Sequence, residues 1–141
     1  MNIVSFVISE FASVKAHGGL TIVHVFNQLR GPGPEWGLPV MYLTIITEAH
    51  PKAVDTTHEL EVRLIDAGRK PVLDKPFRSK ISFSDRPDGP LPGMPLRHIT
   101  TAGIFGARFK KPGPYAFEAY IDGIYSGSAT LYINQTGEPQ Q

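Results

Sequence analysis

The sequence predicts an all-β protein, an antiparallel β-sandwich of about eight strands that is loosely immunoglobulin-like. The chain has 141 residues, and 14 glycines and 13 prolines among them argue against a helical bundle. Apolar and polar side chains alternate with a period of two in most segments, which is typical of half-buried strands. Turn-forming residues separate these segments at intervals of about 8–12 residues, the spacing of a sandwich or barrel.

The first three predicted strands cover residues 2–9, 20–30 and 40–48. Each carries apolar side chains on both faces, whereas a half-buried strand carries them on one. We therefore expect these strands to be buried on both sides, either inside the chain or against a second subunit.

Two predicted strands in the middle of the chain, 58–66 and 72–84, show a cleaner alternation. Leu60, Val62 and Leu64 alternate with charged residues, and the second segment repeats the pattern. The connection between them contains Asp66, Gly68 and Pro71, which favour turns. We predict that the two strands are antiparallel neighbours.

The last part of the chain contains a predicted strand at 97–109 and a hairpin. Gly103 and Gly106 weaken the strand and indicate a bulge or a bend. Asp122-Gly123 lies between two alternating runs, 115–121 and 124–133, and this dipeptide is typical of a type I′ hairpin turn.

Two segments rich in proline, 31–39 and 86–95, do not fit into a central strand because proline has no N–H to donate. Trp36 is the single tryptophan and lies in the first of them. A stiff loop with a large aromatic can bind a partner at low entropic cost, although Trp36 could instead fold back and cap the sandwich. The candidate interaction surface comprises the apolar tips of both segments, Trp36, Pro34, Leu38, Leu91, Met94 and Leu96.

Bulk composition limits the domain organisation and the partners. We predict one domain over residues 1–134, followed by a polar, frayed tail over 135–141. The formal net charge is +1, so we expect no general nucleic-acid binding. The sequence has no cysteine, which excludes disulfides and a thiolate nucleophile. It has no 18-residue apolar stretch and no basic leader at its start, so we expect no membrane span and a cytoplasmic location.

Several segments follow one another in a recognisable order. Phe6 to Val14 leads into Gly19-Leu20-Thr21-Ile22 and then Val25-Phe26-Asn27-Gln28-Leu29, and the chain closes with Pro112-Gly113-Pro114-Tyr115 and Asp122-Gly123. This order resembles an uncharacterised family of small bacterial all-β proteins, a domain of unknown function. The resemblance covers about 3–134 and implies a fold but no activity.

Motifs for catalysis or cofactor binding are missing from the sequence. The five histidines show no metal-ligand spacing, although a sandwich could bring His24 and His98 together. Glu59 and Glu61 lie about 7 Å apart on one strand face, where a solvated position beside Arg63 is favoured over a carboxylate pair. The basic cluster from Arg108 to Lys111 contains an aromatic residue and could contact single-stranded nucleic acid by charge and stacking, but a charged sheet edge is the favoured interpretation. We predict no enzyme activity, no catalytic or metal residues and no cofactor.

The function that these observations favour is a non-catalytic protein-interaction or scaffold module. Self-association through a sheet face is an added expectation, because strands 20–29 and 40–48 are apolar on both faces. The alternatives are a small-molecule or carbohydrate-binding module, with Trp36 and the tyrosines as its platform, and a metal-dependent enzyme built from dispersed histidines and carboxylates. The partner is an unknown protein or a second copy of the chain.

Overall fold

The computed structural model describes residues 1–15, 19–31, 36–37, 40–83 and 93–135. The predicted all-β class is confirmed, because the described residues form two sheets and a short two-stranded ribbon. Their one helical element is a 3₁₀ turn at Pro51–Ala53. No helix in these ranges has the length and apolar character needed to cross a membrane.

The first sheet has four strands, and all its pairings are antiparallel. Its two central strands are long enough to pair with neighbours on both sides. In spatial order it consists of β2 (Leu20–Val25), β1 (Asn2–Val14), β5 (Val40–Ala49) and β8 (Leu96–Phe105).

The second sheet has five strands, and its first pairing is parallel, since β3 runs alongside β11 in the same direction. In spatial order it consists of β3 (Gln28–Gly31), β11 (Ile124–Gln135), β10 (Gly113–Ile121), β6 (Thr56–Ile65) and β7 (Phe77–Phe83). The ribbon pairs β4 (Trp36–Gly37) with β9 (Arg108–Phe109).

The core forms between the inward faces of the two sheets, where every second side chain is apolar. Phe117 and Leu131, neighbouring inward positions on β10 and β11, are completely buried, and Ile81 closes the β7 side. The first sheet contributes Ile8, Met41, Leu43 and Ile45. The period-two pattern therefore gives each sheet one face committed to the core and one face turned outward.

The C-terminal hairpin and the β6–β7 pair are confirmed. Asp122 and Gly123 both have positive φ, 51° and 82°, as a type I′ turn requires. β6 and β7 are antiparallel neighbours, but β7 begins at Phe77 instead of residue 72. The residues before Phe77 include Pro71 and Pro76, which cannot donate ladder hydrogen bonds, and only an isolated bridge joins Pro71 to Ile65.

The predicted strand 20–30 is in fact two strands that belong to different sheets. The chain leaves β2 after Val25, and Phe26 N still donates to Ile8 O of the first sheet. Asn27 O accepts from Tyr132 N of the second sheet, so the crossover takes two residues. Burial of both faces inside the chain is therefore wrong for β2, which is an edge strand with Val23 47% exposed, and burial against a second subunit stays a prediction.

The predicted strand 97–109 is also divided. Gly106, with φ of 74°, ends β8 and redirects the chain into β9. Gly103 stays within β8, where a Cβ atom would lie 3.3 Å from the Phe105 ring. Gly106 therefore makes the predicted bend, and Gly103 makes room for a ring.

Tyr115 ties the start of β10 to the preceding turn. Its hydroxyl donates to Lys111 O over 2.6 Å, and its ring packs edge-on against Phe109 with centroids 4.9 Å apart. Both rings are almost fully buried. The contact fixes the backbone from β9 into β10.

Two threonine hydroxyls in the described part of the chain are buried without a hydrogen-bond partner, those of Thr44 and Thr100. Thr100 lies on the inward face of β8, so its hydroxyl is withdrawn from water. We expect Thr100→Val to raise the free energy of unfolding by about 1 kcal/mol, because valine keeps the shape and removes the unsatisfied group. Chemical denaturation measures this change.

Thr47→Val is the matched control, because the equally buried Thr47 hydroxyl donates to His98 O over 3.3 Å. This variant should lose about 1 kcal/mol. Equal destabilisation by both variants would contradict the interpretation of Thr100.

Candidate interaction surfaces

The outward face of the four-stranded sheet carries a group of aromatic and aliphatic side chains. Phe11 packs edge-on against Tyr42 with ring centroids 5.3 Å apart, and Val23 lies opposite Phe11 on β2. The rings of Tyr42 and Phe105 both lie over Gly103, which has no side chain. We call this surface the aromatic face; it comprises Phe11, Val23, Val40, Tyr42 and Phe105.

Much of the aromatic face is open to solvent. Phe105 is 71% exposed, and Phe11 and Val23 are each more than two-fifths exposed. The outward positions beside them on β1, β5 and β8 are small or aliphatic, as the sequence of those strands shows. The charged residues at the far end of β5 and β8 are Glu48 and Arg97, which neutralise each other over 3.1 Å.

The outward face of the five-stranded sheet carries charged side chains, with the exposed Tyr125 and Tyr132 on β11. Glu61 pairs with Arg63, which the sequence places beside it, and with Arg78, and its side chain is 21% exposed. The Arg63 guanidinium lies 4.2 Å from the Tyr120 ring centroid and covers that ring. The hydrogen bond with Glu61 raises the pKa of Arg63 above its usual value.

A second part of this network holds the β6–β7 connection against β10. Arg69 donates through two nitrogens to Glu118, over 3.0 and 3.2 Å, and Tyr120 donates to the same carboxylate. These hydrogen bonds raise the pKa of Arg69 above its usual value. Glu118 is buried, so the bidentate pair satisfies a carboxylate that water barely reaches.

Thr56, His58 and Asp122 stand in the order of a hydrolase triad. His58 Nδ1 lies 2.7 Å from Asp122 Oδ2, and His58 Nε2 lies 3.0 Å from Thr56 Oγ1. The Thr56 hydroxyl, however, donates its proton to Ala53 O over 2.5 Å. These hydrogen bonds form a clasp that ties the start of β6 to the hairpin turn at Asp122.

The sequence-predicted interaction surface is only partly described. Pro34, Leu38 and Leu91 lie outside the described residues, and for Trp36 the backbone pairing with Phe109 is described. Met94 is 47% exposed, in keeping with an apolar tip. The prediction for Leu96 is wrong. Leu96 is 7% exposed and, at the start of β8, pairs with Ala49 of β5, so it belongs to the core and is not available to a partner.

His24 and His98 do not meet. They lie on β2 and β8, the two opposite edges of the first sheet, so three strand spacings of about 4.8 Å separate them. His24 pairs with Glu10, and His98 Nδ1 donates to Ser82 O, while burial lowers the pKa of His98. Across the described ranges, no three histidine or carboxylate side chains gather as metal ligands would.

A groove lies between the β6–β7 connection and the end of β8. It has a volume of about 1030 Å³, and its lining includes the exposed Phe105 and two carboxylates, Asp66 and Asp74. The groove also contains five cationic side chains, none paired with a carboxylate in the described part of the chain. We call it the basic groove; its cations are Lys70, Lys75, Arg108, Lys110 and Lys111.

Sequence reasoning missed Phe105, which belongs to both surfaces. The alternation of 97–109 treats it as one more strand residue, yet it is the most exposed of the large apolar side chains described. The available signal was its position between Gly103 and Gly106, two residues without side chains to cover a ring. The cluster from Arg108 to Lys111 was identified, but its aromatic residue, Phe109, is buried.

These features define an all-β sandwich with one apolar outward face, one charged outward face and a cationic groove at an edge. The sequence model described as "Family of unknown function (DUF6941)" matches residues 4–134. The chain belongs to this family, which confirms the expected membership in a domain of unknown function.

Comparisons with other proteins add a distant structural likeness. No curated protein matches the chain. Among solved structures, Pseudomonas fluorescens alkylpurine DNA glycosylase AlkC bound to DNA containing an abasic site analog matches with a TM-score of 0.38 and 14% identity. The match covers 92% of this chain and 30% of the glycosylase chain, so this chain spans less than a third of that protein.

The clasp at Asp122 yields a prediction about stability. Asp122 accepts from Glu59 N and from His58, and these bonds lower the pKa of its carboxyl below the usual 3.8. A lowered carboxyl pKa contributes stability above pH 3.8 that is lost as the pH falls through the folded-state pKa. We expect Asp122→Asn to lose about 1 kcal/mol at pH 7, given the exposure of the carboxylate.

The difference between wild type and Asp122→Asn should begin to shrink below about pH 4, where the unfolded-state carboxyl takes up a proton, and it should disappear only as the pH falls through the lowered folded-state pKa. Denaturant unfolding between pH 3 and pH 7 measures it. Asp74→Asn, at an exposed carboxylate, is the control and should match wild type throughout. A deficit of constant size at every pH would refute the electrostatic explanation.

Proposed function

We propose that this protein is a non-catalytic interaction module that associates with a second copy of itself through the aromatic face. The observation that carries the proposal is the contrast between the two outward faces. One carries ion pairs around Glu61 and Glu118, while the other exposes Phe11, Val23 and Phe105 to solvent. Exposed contiguous apolar surface on a small protein is typical of an interaction site.

A second copy is the occupant that the charge pattern favours. In a two-fold contact each group meets the same surface of its partner, so a face with net charge would repel itself. The aromatic face has no charged member, and Glu48 and Arg97 at its margin cancel. The face is thus electrostatically compatible with its own copy.

The size of the sheet also suits a dimer. Four strands spaced about 4.8 Å apart and about ten residues long cover on the order of 650 Å² in projection. Side-chain relief makes the accessible area larger than this projection, and a typical stable interface buries about 800 Å² on each partner. The outward face is therefore of the right order for a symmetric pair.

We further propose that the sandwich is of the immunoglobulin type. The strand order β11-β10-β6-β7 matches the order G-F-C-C′ of that fold, and β1-β5-β8 matches A-B-E. Tyr115 supports the assignment, because its hydroxyl bonds to the backbone four residues earlier at the start of the F-like strand. The cytoplasmic location expected from the sequence stays a prediction.

Val23→Lys tests the dimer. Val23 is on edge strand β2 and 47% exposed, so a lysine can extend into water in the monomer but would be desolvated at a dimer interface. We expect wild type to sediment as a dimer at micromolar concentration, and we expect Val23→Lys to weaken the dimer at least tenfold. Analytical ultracentrifugation over a concentration series measures both, with thermal unfolding as a check on folding.

Ile124→Lys is the matched control, because Ile124 is 70% exposed at the turn of the opposite sheet. It makes the same change of charge away from the aromatic face and should leave the dimer intact. A wild type that stays monomeric at high concentration, or equal dissociation by both variants, would refute the proposal.

A further inference from the structure

We propose that the basic groove binds single-stranded nucleic acid, with its cations holding phosphates and Phe105 stacking on a base. This inference concerns a second ligand, which shares Phe105 with the aromatic face but needs no dimer in order to bind. It rests on three features of the groove, which are its charge, its rigidity and its exposed ring.

The charge of the groove differs from that of the chain. Five cations and two carboxylates line it, a surplus of three, whereas the whole chain has a formal net charge of +1. One oxygen of Asp66 accepts from the backbone N–H groups of Gly68 and Lys70, so this carboxylate is engaged by its own turn. The local surplus attracts phosphates although the overall charge does not.

Three of the five cations, Arg108, Lys110 and Lys111, stand on a backbone that is held to the core. Phe109 is 1% exposed, and it anchors β9 in the core. Arg108 and Lys110 flank it and are exposed, as expected when neighbours along a strand point to opposite sides. The hydrogen bond from the Tyr115 hydroxyl to Lys111 O holds the backbone of Lys111 in place. Groups held in place lose less entropy on binding a phosphate than groups on a loose loop.

Phe105 supplies the stacking surface. It is 71% exposed at the rim of the groove, just before Gly106 turns the chain into β9. Gly103 lets its ring lie close to the sheet, so the ring is supported on one side. An aromatic ring beside a cationic groove is how proteins bind single strands with little sequence preference.

A single strand fits this site better than a duplex. Duplex readout uses an element that protrudes into a DNA groove, whereas here the cations line a recess. A flexible strand can lower its phosphates into the recess and place an unpaired base on Phe105. An acidic peptide would use the cations but would not require the ring.

The test is fluorescence anisotropy of labelled 20-residue oligothymidylate and oligouridylate with the full chain at 50 to 200 mM NaCl. If all five cations engage phosphates, the logarithm of the binding constant should fall with the logarithm of salt with a slope of about −3.5. Lys110→Gln with Lys111→Gln should reduce the size of this slope by about 1.4. Phe105→Ala should weaken binding roughly tenfold and leave the slope unchanged.

Lys52→Gln with Lys80→Gln is the control, because it removes the same charge from exposed positions outside the groove lining. It should bind as wild type does, whereas Val23→Lys, which weakens the dimer that covers Phe105, should bind at least as tightly as wild type. The proposal is overturned if neither oligonucleotide binds at 50 mM NaCl or if the control variant loses as much as the groove variant. It is also overturned if polyglutamate or polyphosphate competes equally and Phe105→Ala has no effect, since the site would then be a general anion patch.

Discussion

The packing of one face of each sheet against the other is the constraint from which the other properties of the molecule follow. Phe117, Leu131 and Ile81 are buried because alternate residues of each strand must point inward. The same alternation points the intervening residues outward, where they do not need to be apolar to pack in the core. Their chemistry is therefore free to differ between the sheets, and the division into a charged and an apolar outward face is compatible with a single core.

The backbone turn at Gly106 determines where exposed aromatic and cationic side chains come together. Gly106 ends β8 with a positive φ, which exposes Phe105 and starts β9 beside it. Phe109 and Tyr115 then secure β9 to the core, and their contact fixes the lysines that follow. A conformation that only glycine adopts easily thus brings an aromatic ring and a group of cations to one edge of the sandwich.

The sequence predicts the elements that are governed by local chemistry. The Asp122-Gly123 hairpin and the β6–β7 pair follow from turn residues and alternation, both of which act over a few residues. The division of 20–30 could not be predicted in this way, because it depends on the hydrogen bond that Phe26 N donates to Ile8 O and the one that Asn27 O accepts from Tyr132 N, and both partners are distant in the chain. The burial of Leu96 likewise follows from its pairing with Ala49, which is distant in the chain. The position of Leu96 next to a proline-rich segment therefore did not predict that it is buried. The exposure of Phe105 depends on the packing of both sheets and on the turn at Gly106, so the alternation within one strand does not predict it.

Phe105 also links the two proposed activities. Its ring belongs to the aromatic face through Tyr42 and Gly103, and it forms part of the rim of the basic groove. A dimer that covers this ring removes the stacking surface from the groove, whereas the cations on β9 and in the β6–β7 connection remain outside the aromatic face. Reciprocity of binding free energies then requires that a strand stacked on Phe105 weaken dimerisation by the same factor as dimerisation weakens stacking. The coupling is limited to the part of the affinity for the oligonucleotide that Phe105 contributes, because the second copy of the chain does not cover the lysines that contact phosphates.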